Sequence, residues 1–124
     1  MNLFKLVAIA LSCALLFSAA NSSADEPDNP EIQYLLTFVA DSGCVFHRNG
    51  DDHDAADAAD HLRLKYSRGR RYADTAENFI DRLASESSWS GETYQVTCGE
   101  TTEPSGDWLH RALADYRQSQ PQVN

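Results

Sequence analysis

The sequence predicts an α+β domain, mostly helical, in which four helices pack on a two-stranded antiparallel ribbon in the order α-β-α-α-β-α and one disulfide closes the fold. Three observations predict it. Apolar residues recur at helical spacing in four separate segments. Two short β-branched or aromatic segments each abut a cysteine. Of the three cysteines, Cys13 lies in an apolar leader, so Cys44 and Cys98 remain as an even pair beside those segments.

The elements follow in order. Asn29 caps and Pro30 opens a first helix, because proline gives up no hydrogen bond in a first turn. Ile32, Leu35, Leu36 and Val39 then fall on one face, and Ser42-Gly43 stops the helix after about Asp41. Cys44 to Arg48 reads as a strand ending at Asn49-Gly50, a dipeptide that favours positive φ. Asp51 to Tyr66 returns to helical period through Ala55, Ala59, Leu62 and Tyr66. Its acidic residues gather toward the N-terminus and its basic ones toward the C-terminus, the order that the helix dipole prefers.

Asp74-Thr75-Ala76-Glu77 has the form of a capping box. Ala76, Phe79, Ile80, Leu83 and Ala84 after it make a clean amphipathic stripe, the third helix. Ser85 to Gly91 is a serine-rich loop carrying Trp89, and Thr93 to Thr97 alternates like a second strand running into Cys98. A bond from the start of the first strand to the end of the second requires the two to be antiparallel. Gly99 to Glu103 reads as a polar loop, and Pro104-Ser105 opens a last helix through Trp108, Leu109, Ala112, Leu113 and Tyr116.

Ahead of these elements lies a leader with the layout of a secretory signal peptide over residues 1–20. Lys5 gives it a positive start, Leu6 to Phe17 an apolar run too short to span a bilayer, and Ser18-Ala19-Ala20 a cleavage site. Ser22-Ser23-Ala24 offers a second site of the same kind. Cutting at Cys13, which follows a weak lipoprotein-like box, would leave the apolar residues Ala14 to Phe17 on the mature protein. Residues 21–30 then read as a flexible linker, 31–117 as a single compact domain and 118–124 as a polar tail. The chain is expected in the periplasm, or secreted, with no transmembrane segment after cleavage. That compartment is oxidising and suits a Cys44–Cys98 disulfide.

Loss of the leader removes Lys5 and takes the formal net charge from −9 to −10. Such a chain repels nucleic acid. Phosphate-binding glycine loops, Gly-x-Ser-x-Gly, His-Glu-x-x-His and dinucleotide fingerprints are all missing, so no cofactor and no catalytic residue is assigned.

Three clusters remain as candidates for chemistry. His53, Asp57 and His61 recur every fourth residue and are zinc-ligand types. On a helix, however, the outer two stand about 12 Å apart, so the reading is an Asp57–His61 surface pair and no metal site. Arg63, Lys65, Tyr66, Arg68, Arg70, Arg71 and Tyr72 form a basic and aromatic run without an acid, able to grip carboxylate or phosphate. Ser85, Ser87, Ser88 and Ser90 would need a base within reach to act as nucleophiles. Trp89 and Trp108 read first as packing residues.

Four ordered stretches carry a resemblance. They are Phe46-His47-Arg48-Asn49-Gly50, Ala58 to Lys65, Thr75 to Asp81 and Ser87 to Val96. Over about Glu31 to Tyr116 the chain resembles the YfeK-like family of uncharacterised bacterial exported proteins. The family's Arg-Asn-Gly turn, His-Leu-x-x-Lys segment and Ser-Gly-x-x-Tyr segment fall here on Arg48, Asn49, Gly50, His61, Leu62, Lys65, Ser90, Gly91 and Tyr94. The resemblance implies export and one domain, and brings no activity.

The expected function is a small non-enzymatic binding or interaction module of the cell envelope. Its partner would be an envelope protein or an anionic cell-wall or lipid component, met through Arg48, His61, Arg63, Lys65, Arg68, Arg70, Arg71 and Tyr94. The alternative is a small envelope enzyme or metal-dependent hydrolase that uses His61. Convergence of Arg48, His61, Lys65 and Ser90 in one concave place would favour it.

Overall fold

The computed structural model describes residues 28–121. The signal-peptide reading, most of the 21–30 linker and the end of the 118–124 tail therefore lie outside the described residues.

The first helix, α1, spans Pro30–Asp41, with the Asn29 side chain accepting from the backbone N–H groups of Glu31 and Ile32. Its stripe of Ile32, Leu35, Leu36 and Val39 is buried as the spacing predicts. Strand β1 covers Val45–Arg48 and turns at once into β2, Asp51–His53. Asn49 at φ 50° and Gly50 at φ 84° form the two-residue link. That pair of positive φ values is what a tight hairpin whose twist matches its strands requires.

Here the expected helix start is overturned. Residues Asp51 to His53 extend along β1 rather than coil, because the turn delivers them directly opposite Arg48, His47 and Phe46. Helix α2 starts later, at Ala55–Gly69, with Asp54 Oδ1 capping the N–H of Asp57 at 2.8 Å. It also runs past Tyr66, so Arg68 is helical and Arg70–Tyr72 forms a short 3-10 turn.

Helix α3, Ala76–Phe79, is capped by Thr75, one residue later than the capping-box reading. It continues as a π-helical turn over Ile80–Ala84. The Ser85 hydroxyl donates to the Ile80 carbonyl at 2.6 Å across that widened turn. The predicted stripe is nonetheless all buried.

Strands β3, Gln95–Cys98, and β4, Thr101–Pro104, make a second hairpin about Gly99 at φ 62°, followed by α4 at Ser105–Ser119. The sheet therefore has four antiparallel strands in the order β2-β1-β3-β4, not the two expected. Both unforeseen strands are short, polar edges. Charge and a terminal proline are features that edge strands tolerate and that hide them from hydrophobic pattern.

The β1–β3 pairing is antiparallel, and the Cys44–Cys98 disulfide closes its end, as the cysteine positions require. Phe46 and Val96 face each other on the helix side of the sheet. Around them pack α1, α2, α3 and α4, with Phe79, Ile80, Leu109 and the α1 stripe fully enclosed. Gly106 lets α4 come against α3: a Cβ there would meet Ser85 Oγ at 2.5 Å. Arg117 of α4 spans Glu31 of α1, at 2.6 Å, and Glu77 of α3, at 2.5 Å.

Candidate functional site

Side chains alternate across a strand, so residues two apart share a face. Two steps from buried Phe46 is Arg48, and two steps from buried Val96 is Tyr94. Both therefore emerge on the helix side, at the end of the central strands away from the disulfide. Helix α2 supplies His61 and Lys65, one turn apart and facing the same end. The loop after α3 completes the enclosure.

These elements bound an open cleft of about 410 Å³. Arg48, His61, Lys65, Arg68 and Tyr94 line it together with Asn49, Tyr72, Ser87, Ser88 and Trp89. No aspartate or glutamate stands in its walls. Among the described residues Arg48, Lys65 and Arg68 form no ion pair with a carboxylate. A recess of about 20 Å³, room for one water, lies behind His61 and Tyr94.

Lys65 Nζ donates to the Tyr94 hydroxyl at 3.1 Å and to the Glu86 carbonyl at 3.0 Å. His61 Nε2 stands 3.4 Å from the same hydroxyl. With Lys65 donating to the phenol oxygen, the phenol proton is left to face His61 Nε2. Burial, then the charges of Arg48, Lys65 and His53, lower the His61 pKa to about 4. Burial and Arg48 lower Lys65 to about 8, against the opposing pull of Glu86. Burial raises the Tyr94 phenol while Arg48 acts the other way. At neutral pH the cleft thus holds a neutral imidazole and a neutral phenol beside three cations.

The serine loop is braced rather than loose. Ser87, only 5 % exposed, accepts at Oγ from the N–H groups of Trp89 and Ser90. Asn49 of the β1–β2 turn donates to Ser87 Oγ at 3.3 Å and accepts from Ser90 Oγ at 2.6 Å. A backbone bridge between Glu86 and Thr93 closes the base of the loop. Trp89 rides on this turn 94 % exposed, while Trp108 is buried. The packing reading holds for Trp108 and fails for Trp89.

The basic run divides. Lys65 and Arg68 enter the cleft, but Arg63 pairs with Asp60 at 3.1 Å on the outer side of α2. Arg70 bonds to Asp28 and lies over the Tyr66 ring, and Arg71 lies over Tyr72. Ser90 is not in the cleft wall. His53 belongs to β2, so the four-residue repeat of His53, Asp57 and His61 does not exist as a helical face. Among the described residues no three His, Cys, Asp or Glu side chains converge to hold a metal.

One further polar chain, Asp52–His47–Thr97–Thr102, runs across all four strands at 2.5, 2.7 and 2.6 Å. It has the residue order of an acyl-transfer triad, but Asp52 is largely exposed and each bond joins neighbouring strands, so it acts as a cross-strand ladder.

Sequence reasoning missed Asn49 and Ser87 as braces and Trp89 as a wall. The Asn49-Gly50 turn and the strand parity of Tyr94 were the signals available. No solved structure matches the chain. A curated relative, the uncharacterized protein YfeK of Salmonella typhimurium (strain LT2), is 37 % identical over 91 residues, covering 73 % of this chain and 76 % of that protein. The family model described as "Family of unknown function (DUF5329)" matches residues 26–117, which hold every cleft residue named above. By that match and that relative, the chain belongs to this YfeK-like family of unknown function.

Proposed function

We propose that the protein is an exported, non-enzymatic binding module of the cell envelope whose cleft holds an anionic ligand. One observation carries the reading: Arg48, Lys65 and Arg68 line a single cleft that contains no carboxylate, on a chain of net charge −9. Arginine forks match carboxylate and phosphate oxygens, and low-dielectric walls strengthen each contact. The leader sequence and the disulfide support the export part.

Calorimetric titration with inorganic phosphate tests the binding. Each of Arg48→Ala and Arg68→Ala is expected to weaken it by about 10-fold, or ~1.4 kcal/mol, while Arg63→Ala and Arg71→Ala leave it unchanged. Equal losses in all four variants would remove the cleft from the account. Terminal sequencing of protein from the periplasmic fraction tests export, with a start at Asn21 or Asp25 expected and an uncut Met1 contrary.

A second reading, an enzyme using His61, is favoured by the neutral imidazole beside Tyr94 and Lys65. Ser87 Oγ is not a free nucleophile for it, since it already accepts from Asn49, Trp89 and Ser90. Hydrolysis of an ester panel by the native protein and not by His61→Gln would establish it.

A further inference from the structure

An indole left almost wholly in water is a poor use of a large apolar side chain, and the backbone that carries this one is firmly held. Trp89 sits on a turn held by Ser87, Asn49 and Ser90, with the Ser87 carbonyl accepting from Gly91 N–H at 2.9 Å. The turn holds the ring at the rim of the cationic cleft. Tyr72, 47 % exposed, supplies a second aromatic wall.

Ser88, the Tyr94 hydroxyl and the neutral imidazole of His61 line the same cleft, groups that both donate and accept. The volume of about 410 Å³ suits a small molecule. The acidic body disfavours a large anionic surface, whose charges would meet the whole chain; a compact anion feels mainly the cleft.

We infer that the cleft binds an anionic saccharide, a pyranose ring bearing a phosphate or carboxylate, with the ring laid on Trp89 and the anion held by Arg48, Lys65 and Arg68. This rests on the anion-binding reading above and adds the ligand class. The sugar's C–H face is apolar and flat enough to cover an indole, and its hydroxyls need the mixed donors and acceptors that a bare anion site would not supply.

Indole fluorescence and calorimetry on the full-length mature protein test it, with inorganic phosphate, glucose 6-phosphate, glucuronate, glucose, adenosine monophosphate and phosphatidylglycerol vesicles as probes. Glucose 6-phosphate is expected to bind at least ~10-fold more tightly than phosphate, and Trp89→Ala to abolish that gain while leaving phosphate affinity within about 2-fold. Glucuronate binding that depends on Trp89 would assign the carboxylate form, and its failure beside a bound sugar phosphate the phosphate form. Phosphate binding with no gain from the sugar overturns the inference and leaves the anion site standing. Tighter binding of the nucleotide or of the vesicles overturns it in favour of a base or a lipid surface. If neither phosphate nor glucuronate binds, the anion-binding reading fails first.

Discussion

His61 shows how one side chain records its surroundings. Its imidazole is kept neutral by burial and by Arg48, Lys65 and His53, with a pKa lowered from 6.5 to about 4. A group whose folded value is depressed adds stability that is full above pH 6.5 and fades as pH falls through about 4, because the unfolded chain takes the proton first. The shift sets an upper bound of about 3 kcal/mol, which solvent at the cleft mouth reduces to roughly 1 kcal/mol. Chemical denaturation at pH 7 and pH 4 should therefore show a larger acid loss in the native protein than in His61→Gln, by about that amount. Equal losses would place the ring in open solvent. Glu31, Glu77 and Glu103, held low mainly by hydrogen bonds from Arg117 and Arg111, contribute acid sensitivity to both proteins alike.

Among the elements, legibility followed amphipathicity. Helices α1 and α4 were readable because their apolar stripes and opening signals agree, and both are found where the pattern puts them. Strands β2 and β4 were hidden because neither has an inward-facing apolar residue to announce it, only Asp51-Asp52-His53 and Thr101-Thr102-Glu103-Pro104. Asn49-Gly50 marks a turn in the sequence, but that its two-residue link commits Asp51 to His53 to pairing is visible only in the register with β1. The π-helical turn after Phe79 has no signal in apolar spacing, since the same residues are buried either way. The link between β1 and β3 was the most readable long-range contact. Its 54-residue separation gives ~4 kcal/mol in the chain-entropy model. Reduction, or Cys44→Ala with Cys98→Ala, should lower unfolding free energy by about 2–5 kcal/mol in denaturant titration. A loss well below that would mean that the unfolded chain is already compact.

Across the whole molecule, the two central strands carry the clamp at one end and the cleft at the other. The site was half legible for that reason. Lys65 and Arg68 belong to a basic run visible in the sequence, and Arg48, His61, Lys65 and Tyr94 fall on family motifs, but their convergence depends on a strand parity that only the sheet register fixes. Arg63, Arg70 and Arg71 look the same in sequence as Arg68, yet Arg63 is held by Asp60, Arg70 bonds to Asp28, and Arg71 lies over the Tyr72 ring rather than in the cleft wall. The brace between Asn49 and the Trp89 loop has a consequence for how the protein ages. Asparagine followed by glycine is the pair at which a backbone nitrogen most readily attacks the side-chain amide and expels ammonia. Here both ends of that amide are engaged, with Ser87 and Ser90. The fold thus shelters its own most perishable bond: intact-mass measurements should find deamidation slow in buffer and fast in urea, and Asn49→Asp should remove the donor to Ser87 while the carboxylate still accepts from Ser90.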